Sequence, residues 1–171
     1  MTTRPSAAEY SSSCAGYVAL VPQREIVPVL EEQLTELLEL AGGLSDREAD
    51  VVHAPYTWSI KQVVGHILDC ERIFGYRALR IARADATPLS GFDENEYARQ
   101  ANHAAYAHRD LVMELTAVRR SHISFFRHLA GEAWGRAGIA NDCPITVRAL
   151  AYVLAGHAQH HLHILKKRLT G

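Results

Sequence analysis

Two histidines near the end of the chain, His157 and His161, interrupt an apolar stripe whose members recur at steps of three and four. The complete stripe is Val147, Leu150, Leu154, His157, His161 and Ile164. This periodicity is typical of the face of an α-helix that packs on a core. Because a spacing of four places both imidazoles on one face about one turn apart, they can share one metal ion. The pattern predicts a pair of metal ligands on the last helix.

A third histidine, His66, interrupts a second apolar stripe that contains Val63, Cys70 and Ile73. Burying an imidazole without a partner costs free energy. Each histidine could be an ordinary core residue bonded to a hydroxyl or carbonyl. Alternatively, three neutral imidazoles from two facing helices can bind one divalent cation, with one nitrogen each. We predict that His66, His157 and His161 form such a site, with a coordination position left open for water or a small anion.

An ion held by three histidines can lower the pKa of a bound water or thiol and can polarise an electrophile. We expect one divalent ion, zinc or nickel, although imidazole also suits iron, copper and manganese. Cys70 lies one helical turn after His66, and we expect it to be a small core residue that stays unligated. As a fourth ligand it would close the site, which would indicate a structural metal.

The other histidines lack such a pattern. His160 and His163 lie beside the stripe of the last helix, and we expect them to support the ligands or line the rim rather than to bind the metal. The remaining five are predicted to be structural or exposed: His53, His103, His108, His122 and His128.

Four long helices must position these residues, and their ends carry recognisable signals. Gly42-Gly43 stops the first helix, Ser59 with Gln62 forms a capping box for the second, and Thr146 can cap the last. The predicted bounds are Glu25 to Ala41, Ser59 to about Ala84, roughly Ala107 to Leu129, and Val147 to about Leu169. The fold class predicted is therefore all-α, a four-helix bundle.

The connecting segments are predicted without strands. Residues 1–21 are expected to form a flexible arm that ends in a short apolar anchor and drapes over the bundle. Residues 45–57 are expected to form a loop, and residues 88–102 a loop or short helical turn that is long enough to cover a site. The third helix is expected to bury the stripe Leu111, Leu115, Val118, His122, Phe125 and Leu129.

Composition narrows the class of protein. A length of 171 residues predicts a single domain over residues 1–171. The net charge of -1 provides no basic field, so neither nucleic acid nor an anionic membrane is an expected partner. Three scattered cysteines favour a reducing cytoplasm over a disulfide framework, and no apolar run suits a signal peptide or a membrane span. We interpret the arginines of the second helix as a solvated face: Arg72, Arg77, Arg80 and Arg83.

Four motifs together resemble the DinB-like superfamily, which includes the YfiT-type metal-dependent hydrolases and bacillithiol transferases. The resemblance extends over nearly the whole chain. The motifs are Trp58-Ser59-Ile60-Lys61, then Gly65-His66 followed by Asp69 and Glu71-Arg72, then Leu89-Ser90-Gly91-Phe92-Asp93-Glu94, and finally Gly156-His157-Ala158-Gln159-His160-His161.

The resemblance implies a bundle of the DinB/YfiT type, usually a homodimer, with one metal held by His66, His157 and His161. Relatives often have Glu directly after the first histidine of the last helix, whereas this chain has Ala158. A base of the His-Glu-x-x-His type is therefore absent at that position.

Three carboxylates could serve as bases or could orient a ligand. Surface salt bridges are the favoured interpretation for Asp69 and Glu71. Asp93 lies in the loop that resembles the family, so it is the candidate catalytic residue.

These patterns lead to two hypotheses from different functional classes. The first is a metal-dependent enzyme that either transfers a low-molecular-weight thiol to an electrophile or hydrolyses a small molecule. The second is a non-catalytic dimer, related to stress responses, that binds a metal or a ligand.

Overall fold

Four long helices form the framework, as the periodicity predicts. The computed structural model describes residues 3–170. The long helices are α2 (Ile26–Ala41), α4 (Ile60–Ala82), α6 (His108–Arg127) and α7 (Val147–Thr170). The shorter elements are α1 (Ala15–Leu20), α3 (Asp46–Ala49), α5 (Glu94–Gln100), β1 (Ala137–Ala140) and β2 (Cys143–Thr146), with brief 3-10 turns between them.

Each long helix packs beside two others, in the cyclic order α2, α7, α4, α6. Helix α7 therefore lies between α2 and α4, and α1 packs along its outer side. The predicted metal ligands lie on the faces of α4 and α7 that pack against each other. The topology thus brings the two histidine-bearing stripes together in the interior.

Caps fix where the two site-bearing helices begin. The Ser59 side chain accepts a hydrogen bond from the Gln62 amide (3.2 Å), and the Gln62 side chain accepts one from the Ser59 amide (2.9 Å). This is the capping box predicted for α4. Thr146 Oγ1 accepts a hydrogen bond from the Ala149 amide (3.1 Å), as predicted for α7. Both caps satisfy amides that the first helical turn leaves unpaired.

The segment before α2 differs from the flexible arm that the sequence predicts. Its last third is helix α1, which buries Val18 in the core and packs against α7. Glu9 accepts hydrogen bonds from the guanidinium of Arg148 and the hydroxyl of Thr146. The segment drapes over the bundle as expected, but it does so as folded structure with its own polar and apolar contacts.

A short antiparallel hairpin follows α6, where the sequence predicts only an irregular connection. Strands β1 and β2 pair from Ala137 opposite Thr146 to Ala140 opposite Cys143. Asn141 and Asp142 form the turn with φ values of 52° and 58°. The backbone of Leu89 exchanges hydrogen bonds with Ile139 and Asn141, so the hairpin holds the connection that follows α4.

The loop predicted between α2 and α4 contains the short helix α3. Ser45 caps it in a reciprocal pair with Glu48. The nearby carboxylates of Asp46 and Asp50 accept the buried ammonium of Lys61 at 3.1 and 2.9 Å. This pairing attaches the segment to the first turn of α4, so the segment is structured although it lacks apolar periodicity.

The buried face of α6 is rotated from the predicted stripe. The described structure buries Leu111, Leu115, Arg119, Ile123 and Phe126, whereas four members of the predicted stripe are only half-buried: Val118, His122, Phe125 and Leu129. The rotation places Arg119 opposite Glu71 of α4, at 2.6 Å between Nη2 and Oε1. The prediction that Glu71 makes a surface salt bridge is therefore wrong, because its side chain is only 2% exposed.

Candidate metal centre

The three predicted ligands converge between α4 and α7. His66, His157 and His161 are all buried, and each offers a potential ligand atom within 4.8 Å of the others. The Nε2 atoms of His66 and His157 are 3.0 Å apart. Tetrahedral coordination at about 2.0–2.1 Å per nitrogen needs ligand atoms slightly over 3 Å apart, so small side-chain adjustments suffice.

Unsatisfied polarity within the cluster fits a cation. Among residues 3–170, Nδ1 of the buried His161 has no hydrogen-bond partner. The Nε2 atoms of His66 and His157 face each other in a contact in which only one of them can donate. A buried polar atom without a partner costs free energy, and an ion that accepts imidazole lone pairs removes that cost. The donor set is therefore chemically suited to a borderline metal such as zinc or nickel.

Burial also keeps the three rings uncharged. It lowers the pKa of His66, and it lowers that of His157 well below 6.5. Burial, reinforced by the neighbouring imidazoles His66 and His160, lowers the pKa of His161 to about 3. Because a neutral imidazole keeps a free lone pair, the environment that disfavours protonation leaves the rings ready to bind a cation.

Cys70 lies beside the cluster without joining it. Its Sγ is 3.9 Å from Nδ1 and 3.8 Å from Nε2 of His66. Among the described residues, the group of potential ligand atoms that all lie within 4.8 Å of one another contains the three histidines and not this sulfur. Burial raises the pKa of the Cys70 thiol to about 12, which favours the protonated form.

A cavity of about 520 Å³ opens onto the histidines. Aromatic and apolar side chains form much of its wall, and segments far apart in sequence contribute: Tyr17 from α1, Trp58 before α4, Phe74 from α4, Phe92 before α5, and Ile145 from β2. This volume is typical of sites for small molecules. The connection from residue 88 to residue 102 forms part of the wall, as its length suggests.

The profile of the DinB superfamily matches residues 30–165 of the chain. This chain belongs to the DinB superfamily. A protein of Oceanobacillus iheyensis, provisionally described as a metal-dependent hydrolase, is 26% identical over 143 residues, which is 82% of each chain.

The fold is also similar to that of YfiT from Bacillus subtilis, described as a probable metal-dependent hydrolase with an unusual four-helix bundle topology. The TM-score is 0.74 at 18% identity, over 88% of this chain and 93% of YfiT. At that identity the likeness establishes the four-helix fold. Within the described residues, no helix is long and apolar enough to cross a membrane.

Three further residues considered for the site of this DinB protein, His160, His163 and Asp93, differ in their distance from the cavity. His160 lines the cavity at its exposed rim, with its ring 6.0 Å from that of Tyr17. His163 is exposed and contacts Gln159 at 3.1 Å, away from the cluster. Asp93 caps α5 by accepting hydrogen bonds from the amides of Asn95 and Glu96. The next residue, Glu94, is the one acidic residue among the described residues that line the cavity.

Two of the histidines assigned to no site are buried in structural roles. His108 Nε2 donates to the carbonyl oxygen of Ala41 (2.8 Å). His103 packs over α4 at Gly65, with its Nε2 3.8 Å from Asp69. His122, half-buried, donates from Nδ1 to Glu71 (2.8 Å). These contacts agree with the expectation that such residues are structural.

Several residues of the cavity wall come from segments that the sequence did not connect with the site. Tyr17 comes to the site because Gly156 allows α1 to approach α7 closely; a Cβ at Gly156 would overlap the Tyr17 carbonyl oxygen. In the sequence, the glycine directly before His157 was the one sign that another segment approaches α7 closely at this point. Arg77, interpreted as part of a solvated face, is instead only 7% exposed and lines the cavity.

Proposed function

We propose that this protein is a metal-dependent enzyme that acts on a small molecule bound in the cavity. The observation that carries the proposal is the buried cluster of His66, His157 and His161 at the wall of that cavity. Three protein ligands leave a coordination position for a reactant, which is the arrangement of catalytic rather than structural sites. The descriptions given to the relatives, as metal-dependent hydrolases, support the same class.

Different residues of the chain would bind the metal and the reactant. The three histidines would hold one divalent ion, with zinc or nickel favoured by the all-imidazole donor set. Bound there, such an ion supplies Lewis acidity toward an electrophile and lowers the pKa of a coordinating water or thiol. Trp58, Tyr17 and Phe74 would exclude bulk water and hold the apolar part of the reactant.

Transfer of a low-molecular-weight thiol and hydrolysis remain the two reaction classes. Hydrolysis benefits from a base near the nucleophile, but this chain has Ala158 after His157, and Glu94 at the cavity is exposed. A thiol has a much lower intrinsic pKa than water, so it needs less help to ionise. These features favour the thiol as nucleophile.

The test is an activity screen on protein loaded with zinc or nickel. Small electrophiles are supplied with and without a low-molecular-weight thiol, and product is quantified by mass spectrometry. We expect metal-dependent turnover, faster with thiol and abolished in His157→Ala. Turnover that is equal in metal-free protein would contradict the proposal.

A second candidate is a ligand-binding module without turnover. Ala158 and the absence of a carboxylate from the described histidine cluster favour it. In that case a metal would stabilise the bundle and the cavity would bind a molecule unchanged. Tight binding of a small molecule to metal-loaded protein, with no conversion over a broad panel of electrophiles, would support this alternative.

A further inference from the structure

Arg77 is a buried cation at the cavity wall without a carboxylate partner. Its side chain lines the same cavity as the histidines, and the residue is only 7% exposed. Among residues 3–170, no carboxylate oxygen lies within 4 Å of its guanidinium. Buried Lys61 and Arg119 each pair with acidic side chains, and buried Arg168, away from the cavity, donates to the carbonyl oxygens of Val51 and Trp58. Burying an unpaired charge is costly, so an anion at this position would be stabilised.

The guanidinium has donors to spare. The hydrogen bond that the structure shows for Arg77 runs from Nη2 to the carbonyl oxygen of Ser90 (2.7 Å). The guanidinium also lies over the ring of Phe92, 5.7 Å from its centroid. These contacts fix the orientation of the guanidinium and use one of its five N–H donors, so one edge with two donors, formed by Nη2 with either Nε or Nη1, remains for a ligand. Burial lowers the pKa of Arg77, consistent with a charge that lacks full compensation.

The placement of His66 and Arg77 on one helix indicates the shape of a ligand. His66 and Arg77 are eleven residues apart on α4, so their Cα atoms are about three turns, or about 16 Å, apart along the helix axis. Both side chains therefore leave the helix in nearly the same direction, toward the same cavity. The aromatic wall between them includes Phe74. The site has a metal-binding end, an apolar middle and a cationic end.

We propose that the cavity binds an elongated small molecule whose terminal carboxylate pairs with Arg77 while its reacting group lies at the histidine cluster. A carboxylate matches one edge of a guanidinium, and Arg77 is the one Lys or Arg among the described residues that line the cavity. One arginine balances the single charge of a carboxylate, whereas a phosphomonoester carries about -1.5 to -2 at pH 7. Glu94, the acidic residue of the lining, is exposed. This inference rests on the proposed function for the role of the histidine end.

The test uses a matched pair of probes, ω-mercaptoundecanoic acid and its neutral amide, with binding measured by calorimetry on zinc-loaded and on metal-free protein. The acid should bind about tenfold more tightly than the amide, since a hydrogen bond to a charged group is worth more than one tenfold step in affinity. That ratio should persist without metal, because it reports on Arg77. Both probes should bind more tightly to zinc-loaded protein, because that difference reports on the proposed metal-dependent function.

Variants locate the effect. In Arg77→Met the ratio between acid and amide should fall to near unity, whereas Arg83→Met, an exposed residue at the end of the same helix, should retain it. If Arg77→Met does not fold, Arg77→Gln replaces it, because glutamine keeps a donor for the carbonyl oxygen of Ser90. The ratio of acid to amide affinity in wild-type protein tests the proposal in either case. Equal binding of the two probes to wild-type protein, no binding of either, or a ratio that survives in Arg77→Met would overturn the proposal. A phosphonate probe that binds more tightly than the carboxylate would overturn the assignment of the ligand class.

Discussion

At the scale of single residues, the histidine cluster is a source of instability unless something binds it. Three imidazoles share a buried space, and their pKa values are lowered mainly because burial disfavours the charged ring. Such an arrangement does little for an apolar core that could be built from leucine. Its cost is understandable if the rings are held neutral and close together in order to bind a cation.

Cys70 provides a test of whether the site is open. Because its sulfur is not in the group of ligand atoms that His66, His157 and His161 form, we expect the loaded metal to have nitrogen and oxygen donors alone. X-ray absorption at the metal edge should show no sulfur at about 2.3 Å. Cys70→Ser should give an unchanged spectrum. A sulfur shell that disappears in this variant would instead indicate a closed, structural site.

The buried ion pair between Glu71 and Arg119 should contribute strongly to the stability of the protein. Arg119 also donates to Gln33 (3.3 Å), and Gln33 donates to the carbonyl oxygen of Ala155 (2.9 Å), so the pair connects all four long helices. Removing one partner leaves a buried charge uncompensated, and Arg119→Met should lower the free energy of unfolding by about 3–5 kcal/mol.

Urea denaturation measures this loss. Arg120→Met, at the exposed neighbouring position, is the matched control and should be nearly neutral. The double variant Glu71→Gln with Arg119→Met should recover part of the stability, because no unpaired charge remains. A loss below about 1 kcal/mol in the single variant would mean that the pair behaves like a solvated surface salt bridge.

Among the secondary-structure elements, α1 and α7 approach each other so closely at Gly156 that any side chain there should destabilise the protein. A methyl group there would overlap backbone of Tyr17, which cannot rotate away as a side chain could. Gly156→Ala should therefore destabilise the protein by about 1–3 kcal/mol, as overpacking does. Thermal unfolding measures the change.

Gly16→Ala is the matched control for that substitution. Gly16 lies in α1, and a Cβ there would have no neighbour among the described residues within 4 Å. Alanine at an open helical position removes the entropic cost of glycine, so this variant should be neutral or slightly stabilised, by about 0.5–1 kcal/mol. Equal behaviour of the two variants would refute the importance of the contact between α1 and α7.

The long helices were predictable because strong local signals agree. Ser59 and Gln62 mark one start and Thr146 another, and apolar residues recur at helical spacing between the ends. The same regularity brought His157 and His161 onto one face and allowed His66 to be included. The family-like motifs led to the same three residues.

The hairpin, the buried face of α6 and the burial of Arg77 were not predicted, because they depend on long-range contacts or on short elements. The strands are only four residues long, too short for an alternating pattern, although Asn141-Asp142 was a usable turn signal because both residues tolerate positive φ. The buried face of α6 was misplaced because Arg119 is buried by pairing with Glu71, which apolar periodicity cannot reveal. Arg77 was interpreted as solvated because arginines recur along α4, which is typical of a solvated face, and the contact with the carbonyl oxygen of Ser90 that accompanies its burial is long-range.

At the scale of the whole molecule, the family resemblance predicts a homodimer. Within one chain the apolar faces of α2 and α6 are already used in the core, so a dimer would need other exposed apolar residues such as Met113, Tyr106 or Tyr97. Light scattering at micromolar concentration should give the mass of two chains. The mass of one chain would contradict this prediction.

The proposed function requires that His66, His157 and His161 bind one divalent ion. Its most direct test is metal analysis of purified protein, dialysed against zinc or nickel, for wild type and for single alanine variants whose folding is checked by circular dichroism. We expect about one ion per wild-type chain, most of it lost in His66→Ala, His157→Ala and His161→Ala, and full retention in His163→Ala, which is exposed on the same helix. Full occupancy in both folded His157→Ala and His161→Ala proteins would contradict the account.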